Sequence, residues 1–202
     1  MDQQEPDSVV EDDRALFREM ADRTRIFDCL KRVSRGIDRF DRELFLSAYH
    51  TDAVISAGSM VAHPTATFDG GSALHDDGQS GTLHHLTNHT CDLDGDVAHC
   101  ETYYLYVGRN RDGANWLAGG RYIDRVERRD GVWRIAFRQT VLEWSGTMTG
   151  TEVPLFLNAP DAALNGLPAR DRSDPSYRRP LHNQRELSVP ADIQEFGRVG
   201  AP

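Results

Sequence analysis

The feature that most restricts how this chain can fold is a series of four long β-type segments between residues 83 and 143. These segments are rich in Val, Ile, Thr, Tyr and Trp, the residues that favour strands. They comprise residues 83–93, 98–108, 116–128 and 132–143. Asp94-Gly95 separates the first two and Asp130-Gly131 the last two, and Asp-Gly is typical of tight hairpin turns. We therefore predict a meander of four antiparallel strands.

A long helix is predicted before the strands, because apolar residues recur there at spacings of three and four. These residues are Leu16, Phe17, Met20, Ile26, Phe27, Leu30 and Val33. Gly36 marks an expected break near the end of this helix. Asp41 is the expected N-cap of a second, short helix that contains Tyr49.

The remaining segments complete the predicted fold. Residues 53–56 read as a short strand, and the Gly-, Asp- and Ser-rich residues 57–82 as a loop with one short helix at most. We predict an α+β fold in which a cone-shaped, curved antiparallel sheet wraps around the long N-terminal helix and leaves a pocket inside. The predicted domains are a flexible acidic N-terminus (1–11), an α+β barrel domain (12–150) and a proline-rich C-terminal arm (151–202).

Charge and hydropathy exclude several classes of function. The chain has 202 residues and a formal net charge of -9, which argues against binding to nucleic acid. No apolar run approaches the roughly 20 residues of a membrane span. Residues 1–7 contain neither a basic nor an apolar segment, so no secretory signal is predicted and we expect a cytoplasmic protein.

The cysteines and glycines predict no cofactor and no metal site. The three cysteines, Cys29, Cys91 and Cys100, are far apart in the sequence and form no C-x-x-C pair, so we expect reduced, buried thiols. No G-x-G-x-x-G sequence follows a predicted strand, so no nucleotide cofactor is indicated.

Four segments resemble the SnoaL-like branch of the nuclear-transport-factor-two-like superfamily. They are residues 34–41 (SRGIDRFD), 49–53 (YHTDA), 84–88 (HHLTN) and 119–134 (GGRYIDRVERRDGVWR). The resemblance covers roughly residues 12–145 and implies the cone-shaped α+β fold and a homo-oligomer, either a trimer or a dimer. Members of this branch include scytalone dehydratase, hexachlorocyclohexane dehydrochlorinase, bile-acid dehydratases and γ-formaldehyde lyases.

The resemblance also implies an active site. In dehydratase-like members an Asp at the end of the first helix orients a strand His that acts as the base, and these positions match Asp38 and His84. A cationic residue late in the last strand, which assists the leaving group in the dehydrochlorinase, matches Arg138. Several members carry a Tyr or Lys one helical turn before the Asp, whereas this chain has Val33, which is expected to contact the substrate. Another residue must therefore assist the departure of the leaving group, or the leaving group is not the one found in those members.

Strand alternation indicates which of the neighbouring polar residues face the pocket. His84, Leu86 and Asn88 share one face of a regular strand, and His85 and His89 share the other. If His84 faces the pocket, Asn88 is expected to bind substrate. His85 and His89 are then expected to face solvent or a subunit contact, too far apart along a strand to chelate one metal ion easily.

Three further positions are candidates for the pocket. Tyr104 and Tyr106 alternate onto one face, and either is a candidate for the acid that is absent at Val33. Phe137 is expected to contribute to an apolar wall. Arg138 either stabilises a departing anion or forms a salt bridge with Asp38 or Glu143.

These residues predict a cofactor-free lyase that acts on a small apolar cyclic or aromatic molecule, in the catabolism of aromatic compounds. His84 removes a proton, Asp38 stabilises the imidazolium, and the leaving group is water, halide or formaldehyde. Two alternatives are an isomerase or cyclase acting on a steroid- or polyketide-like ligand, and a non-catalytic scaffold like the β subunits of aromatic-ring dioxygenases. No nucleic-acid or membrane partner is expected.

Overall fold

The computed structural model describes residues 5–148 and 161–186 of this chain, with the side chains of the first helix described from Asp13 onward. The chain divides into two compact units, Met1–Thr149 and Gly150–Pro202. In the first unit the elements are α1 (Glu5–Asp38), α2 (Arg42–Ser47), β1 (Tyr49–Ala57), β2 (Met60–Ala62), α3 (Pro64–Gly78), β3 (Gln79–Asp94), β4 (Val97–Asn110), β5 (Asn115–Arg129) and β6 (Val132–Met148).

The six strands form one curved sheet in the order β2-β1-β6-β5-β4-β3. Strands β3 to β6 form the predicted antiparallel meander, and β1 adds to its edge by pairing in parallel with β6. The sheet is therefore mixed rather than wholly antiparallel. The prediction of an α+β fold with a curved sheet and a long N-terminal helix is confirmed.

Helix α1 packs on the sheet with only its C-terminal half. Ile26, Cys29 and Leu30 are fully buried, whereas Leu16 and Phe17 are mostly exposed although they continue the same apolar stripe. A helix of 34 residues is about 51 Å long. The helix begins at Glu5, inside the segment for which the sequence predicts flexibility.

The break predicted at Gly36 is not observed, because α1 continues to Asp38, although Gly36 does lie near the end of the helix. A Cβ at this position would lie 2.7 Å from the backbone nitrogen of Phe45 in α2. The glycine therefore lets α2 pack directly against α1. Tyr49, which was predicted to lie in the second helix, is instead the first residue of β1.

The prediction for residues 57–82 is wrong in its main point, because a 15-residue helix, α3, occupies most of this segment. Pro64 begins the helix at a position that requires no backbone N–H donor. Phe68 is buried, with its ring centroid 5.2 Å from that of Phe45. Tertiary packing of one aromatic side chain thus outweighs the low helix propensity of the glycines.

The described part of the second unit contains two short 3-10 helices, Ala162–Asn165 and Pro175–Tyr177. The side chain of Asp174 accepts hydrogen bonds from the backbone of Ala169 and Ser176. The remainder of the predicted C-terminal arm lies outside the described residues. Among the residues described, no helix combines the length and apolar character needed to cross a membrane.

Candidate active site

Asp38 and His84 are joined by two hydrogen bonds. Asp38 is the last residue of α1, and His84 lies in β3. One carboxylate oxygen of Asp38 lies 2.6 Å from Nδ1 of His84, and the other accepts the backbone N–H of the same residue at 2.9 Å. Since a carboxylate only accepts hydrogen bonds, Nδ1 is the donor, and the lone pair of a neutral imidazole is on Nε2. The pair therefore holds the imidazole in one orientation and one tautomer.

His84 lines a cavity of about 210 Å³ between the helices and the sheet. The apolar part of the wall comprises Val33, Ile37, Phe45, Ile55, Ala57 and Met60. The polar part includes Tyr49, Thr67, His75, Tyr122 and Arg138. Val33, which was predicted to contact substrate, is therefore part of the apolar wall. Four of these polar residues were not predicted to contribute to the site: Tyr49, Thr67, His75 and Tyr122.

Arg138 lines this cavity, but its charge is already paired. Its Nε and Nη2 atoms donate to both carboxylate oxygens of Asp124, at 2.7 and 2.8 Å, and both side chains are buried. Burial opposes the charged form of Arg138, but attraction to Asp124 outweighs it, so the pKa of the guanidinium lies above its ordinary value. The prediction of a salt bridge from Arg138 to Asp38 or Glu143 is wrong, because the carboxylate directly opposite Arg138, on β5, is Asp124.

Two tyrosines surround this ion pair. The guanidinium carbon of Arg138 lies 4.2 Å from the ring centroid of Tyr122, and the charge of Arg138 also acts on the hydroxyl of Tyr49. Burial raises the pKa of both tyrosine hydroxyls, although the charge of Arg138 acts in the opposite direction. Both hydroxyls are therefore neutral at physiological pH and can donate a hydrogen bond into the cavity.

Tyr104 and Tyr106 share the inner face of β4, as predicted, but neither is among the described residues that line the cavity. The ring of Tyr106 packs on the ring of His84 at 4.7 Å, and its hydroxyl donates to Gln79 at 2.6 Å. Tyr104 stacks on Tyr122 at 4.4 Å. The two tyrosines thus support residues that face the cavity.

Helix α3 contributes two polar residues to the cavity that sequence reasoning missed. The ring centroid of His75 lies 6.1 Å from that of His84, and Nδ1 of His75 is 2.8 Å from the side-chain oxygen of Gln79. The hydroxyl of Thr67 is buried and has no hydrogen-bond partner among the described residues. The interpretation of residues 57–82 as a loop left no basis for placing either residue.

A β-bulge in β3 overturns part of the predicted alternation. The pairing with β4 shifts between Leu86 and His89, so that Thr87 and Asn88 together stand opposite one residue. Asn88 is consequently exposed and does not line the cavity, contrary to the orientation that the sequence predicted. His89 turns to the inner face instead, while His85 is exposed as predicted.

A second bulge, in β6, determines the position of Arg138. Val126 pairs with Ile135 and Arg125 with Phe137, so Ala136 is the extra residue. Without this residue, Ile135 and Phe137 would share the inner face and Arg138 would point outward. The bulge brings Arg138 to the cavity and removes Phe137, which does not line it as the sequence predicted.

A larger open groove, of about 600 Å³, runs along α1 beside Trp133. Its lining includes Arg25 and Lys31, which form ion pairs with Asp22 and Asp28. This groove contains none of the paired acid–base groups described above. The smaller cavity is therefore the candidate active site.

Comparison with known proteins identifies the domain. The SnoaL-like domain family matches residues 18–139 of this chain. No curated protein sequence matches it.

Several solved structures share the fold. Hexachlorocyclohexane dehydrochlorinase LinA-type3 from Novosphingobium barchaimii is 22% identical and has a TM-score of 0.62, covering 67% of this chain and 97% of its own. A candidate scytalone dehydratase from Novosphingobium aromaticivorans is 20% identical with a TM-score of 0.56, covering 69% of this chain and 93% of its own. At these identities the similarity establishes the fold alone.

Proposed function

We propose that this chain, which belongs to the SnoaL-like domain family, is a cofactor-independent lyase that uses Asp38 and His84 to eliminate a group from a small apolar cyclic or aromatic substrate. The observation that carries this proposal is the use of both carboxylate oxygens of Asp38 to fix a cavity-lining imidazole. The names of two similar structures, a dehydrochlorinase and a candidate dehydratase, denote elimination reactions and support it.

The base in this mechanism is Nε2 of His84. It accepts a proton from a carbon of the substrate, the electron pair of the broken C–H bond forms a double bond, and the leaving group departs with its own electron pair. Asp38 stabilises the imidazolium that results. Because Asp38 is also bonded to the backbone of His84, little reorganisation accompanies this change of charge.

Departure of the leaving group requires a hydrogen-bond donor, since Val33 provides none. Arg138 is neutralised by Asp124, so its direct attraction for an anion is reduced. The positive charge of Arg138 makes the hydroxyl of Tyr49 a better donor, against the effect of burial, and both residues line the cavity. We therefore propose that Tyr49 donates to the leaving group, and that Arg138 acts through Tyr49 as a positioning residue.

The cavity limits the substrate to a small molecule. Its volume of about 210 Å³ is smaller than the roughly 300 Å³ at which pockets for drug-sized ligands begin. Apolar side chains form one part of its wall, and the hydroxyl of Thr67, which no other described residue contacts by a hydrogen bond, offers one hydrogen bond. These features support a single substituted ring with one polar substituent near α3.

The leaving group can be water, halide or formaldehyde. Loss of formaldehyde from a hydroxymethyl group differs: His84 takes the hydroxyl proton, the electron pair of the O–H bond forms the C=O bond of formaldehyde, and the electron pair of the broken C–C bond passes into the remaining conjugated substrate. An isomerase that returns the proton to another carbon is the second candidate function. It is favoured by the absence of an unpaired cation among the described cavity residues, because an isomerase needs only neutral donors such as Tyr49.

The test is a substrate screen with the wild type, His84→Ala and the control His85→Ala, without added metal or cofactor. Hydroxylated, halogenated and hydroxymethyl-bearing ring compounds are followed by mass spectrometry. A loss of water, hydrogen halide or formaldehyde that is abolished only in His84→Ala supports the lyase. A mass-neutral product supports the isomerase. Activity that survives in His84→Ala contradicts both.

A further inference from the structure

A cluster of three metal-binding side chains lies on the inner face of β3 and β4, apart from Asp38 and His84. Cys91 and Cys100 face each other across the two strands, and His89 precedes Cys91 by two residues on the same strand face. One ring nitrogen of His89 and the two sulfur atoms all lie within 4.8 Å of one another. The bulge that removes Asn88 from the pocket creates this cluster, because it turns His89 inward.

The two nitrogens of His89 have different surroundings. Nδ1 lies 2.8 Å from the hydroxyl of the fully buried Thr102. Nε2 is buried and has no hydrogen-bond partner among the described residues. An unsatisfied buried nitrogen is costly in a folded protein. A histidine that binds metal through one nitrogen and is oriented through the other has this arrangement.

The cluster is almost closed to solvent. Both cysteine side chains are buried, and the ring of Phe27 from α1 covers the ring of His89 at 4.7 Å between centroids. Arg23 of α1 donates to the backbone carbonyl of Cys91 at 2.5 Å and also pairs with Glu19, so α1 is held against the strand that carries His89 and Cys91.

We propose that His89, Cys91 and Cys100 bind one Cu(I) ion. Thiolate and imidazole donors suit Cu(I) and Zn(II) best. Structural zinc sites, however, almost always have four protein ligands, and no fourth His, Cys, Asp or Glu joins this group among the described residues. Two soft thiolates and one imidazole in a dry site favour a three-coordinate monovalent ion.

Binding exchanges protons for the metal and needs no oxidant. Each thiol loses its proton as its sulfur bonds to Cu(I), so one ion releases two protons and no electron is transferred. Because each thiol must lose its proton to bind the ion, affinity increases with pH. Because the ion links β3 to β4, binding also stabilises the folded chain.

The first measurement is an anaerobic titration of the reduced full-length chain with Cu(I), in competition with a chromophoric Cu(I) chelator. We expect one equivalent to bind, and Cys91→Ser and Cys100→Ser each to weaken affinity by more than about 100-fold. Cys29→Ser is the matched control, because Cys29 is also a buried thiol but donates to the carbonyl of Trp133 instead. Its affinity is expected to equal that of the wild type.

A second measurement on the wild type keeps the proposal testable if the variants fail to fold. The rate at which each cysteine is alkylated is compared with and without Cu(I), by peptide mass spectrometry. We expect Cu(I) to slow the alkylation of Cys91 and Cys100 and to leave that of Cys29 unchanged. Equal effects on all three cysteines, tighter binding of Zn(II) than of Cu(I), or a Cys91–Cys100 disulfide in a chain that binds no Cu(I) would overturn the proposal.

Discussion

At the residue scale, the carboxylate of Asp38 makes two hydrogen bonds to the same residue. One oxygen accepts from the imidazole of His84 and the other accepts from its backbone N–H. Asp38→Asn keeps the size of the side chain but replaces one oxygen with an N–H donor. We expect the imidazole to change tautomer, and kcat to decrease by about 10² to 10⁴ with a small change in KM. Steady-state kinetics on the substrate found by the screen measure this effect.

Asp69→Asn is a suitable control, because Asp69 is an exposed carboxylate that pairs with Arg42 away from the cavity. Its kinetics are expected to match those of the wild type. A kcat for Asp38→Asn within threefold of the wild-type value would show that the pair does not act as a base.

The ion pair between Arg138 and Asp124 predicts an asymmetric effect on stability. Arg138→Met leaves a buried carboxylate unpaired, and we expect the free energy of unfolding to decrease by about 3–5 kcal/mol. Adding Asp124→Leu removes the unpaired charge, and we expect the double variant to regain most of the loss. Urea denaturation measures both values.

A double variant no more stable than Arg138→Met alone would contradict this account of the pair. The positioning role of Arg138 is tested separately with Arg138→Gln, which removes the charge and keeps a polar side chain. We expect it to lower kcat more than it raises KM, because it affects Tyr49 rather than substrate binding.

Predictability at the residue scale depended on the kind of signal available. Asp38 and His84 occupy positions that a family resemblance identifies, and the structure places them in contact. Their catalytic role stays a prediction. Asp124 lies within one of the same segments but was not singled out, because its partner depends on which residue of β6 lies across from it. That register cannot be derived from either strand alone.

At the scale of elements, the contact between α1 and α2 depends on Gly36. Gly36→Ala places a methyl group 2.7–2.8 Å from backbone and side-chain atoms of Phe45, so α2 must move. We expect the free energy of unfolding to decrease by about 1–3 kcal/mol. Urea denaturation, with activity as a second readout because Phe45 lines the cavity, measures the change.

Gly70→Ala is the matched control for this effect. Gly70 also lies within a helix, but no atom is found within 4 Å of the position its Cβ would occupy. Alanine has the higher helix propensity, so we expect this variant to be more stable than the wild type by up to about 1 kcal/mol. If both variants lost stability equally, steric contact with Phe45 would not be the cause.

The two bulges show why strand faces were predicted only in part. Alternation correctly placed His84 and Tyr106 on one face, because the pairing between them is regular. It failed at Asn88 and Phe137, where one extra residue in a strand reverses the faces that follow. Neither bulge has a distinctive residue type in the sequence, since the extra residue in β6 is an ordinary alanine, Ala136.

At the scale of the whole molecule, the stability of the first unit depends on pH through His50. This residue joins β1 to β5 by a hydrogen bond from Nε2 to the carbonyl oxygen of Glu127. Burial, assisted by the positive charges of Arg129 and Arg134, lowers the pKa of His50 in the folded chain. The unfolded chain therefore takes up the proton first as the pH falls below about 6.5.

We expect the contribution of His50 to stability to be complete above about pH 6.5. It is lost as the pH falls toward the lowered pKa of the folded state, with a slope of at most about 1.4 kcal/mol per pH unit. His50→Gln can keep the hydrogen bond but does not titrate, so its stability is expected to change less between pH 7 and pH 5. Urea denaturation across this range is the measurement, and identical slopes for both chains would contradict the prediction.

The sequence by itself determined the class of the fold, the long helix, the four-strand meander and the positions of Asp38 and His84. These follow from periodic patterns, Asp-Gly turns and segments that resemble a family, all of which are local in the chain. Only the tertiary structure decided that α3 is a helix, that Asp124 neutralises Arg138, and that His89 meets Cys91 and Cys100. Each of these depends on strand register or on packing between distant residues, which act only once the chain has folded.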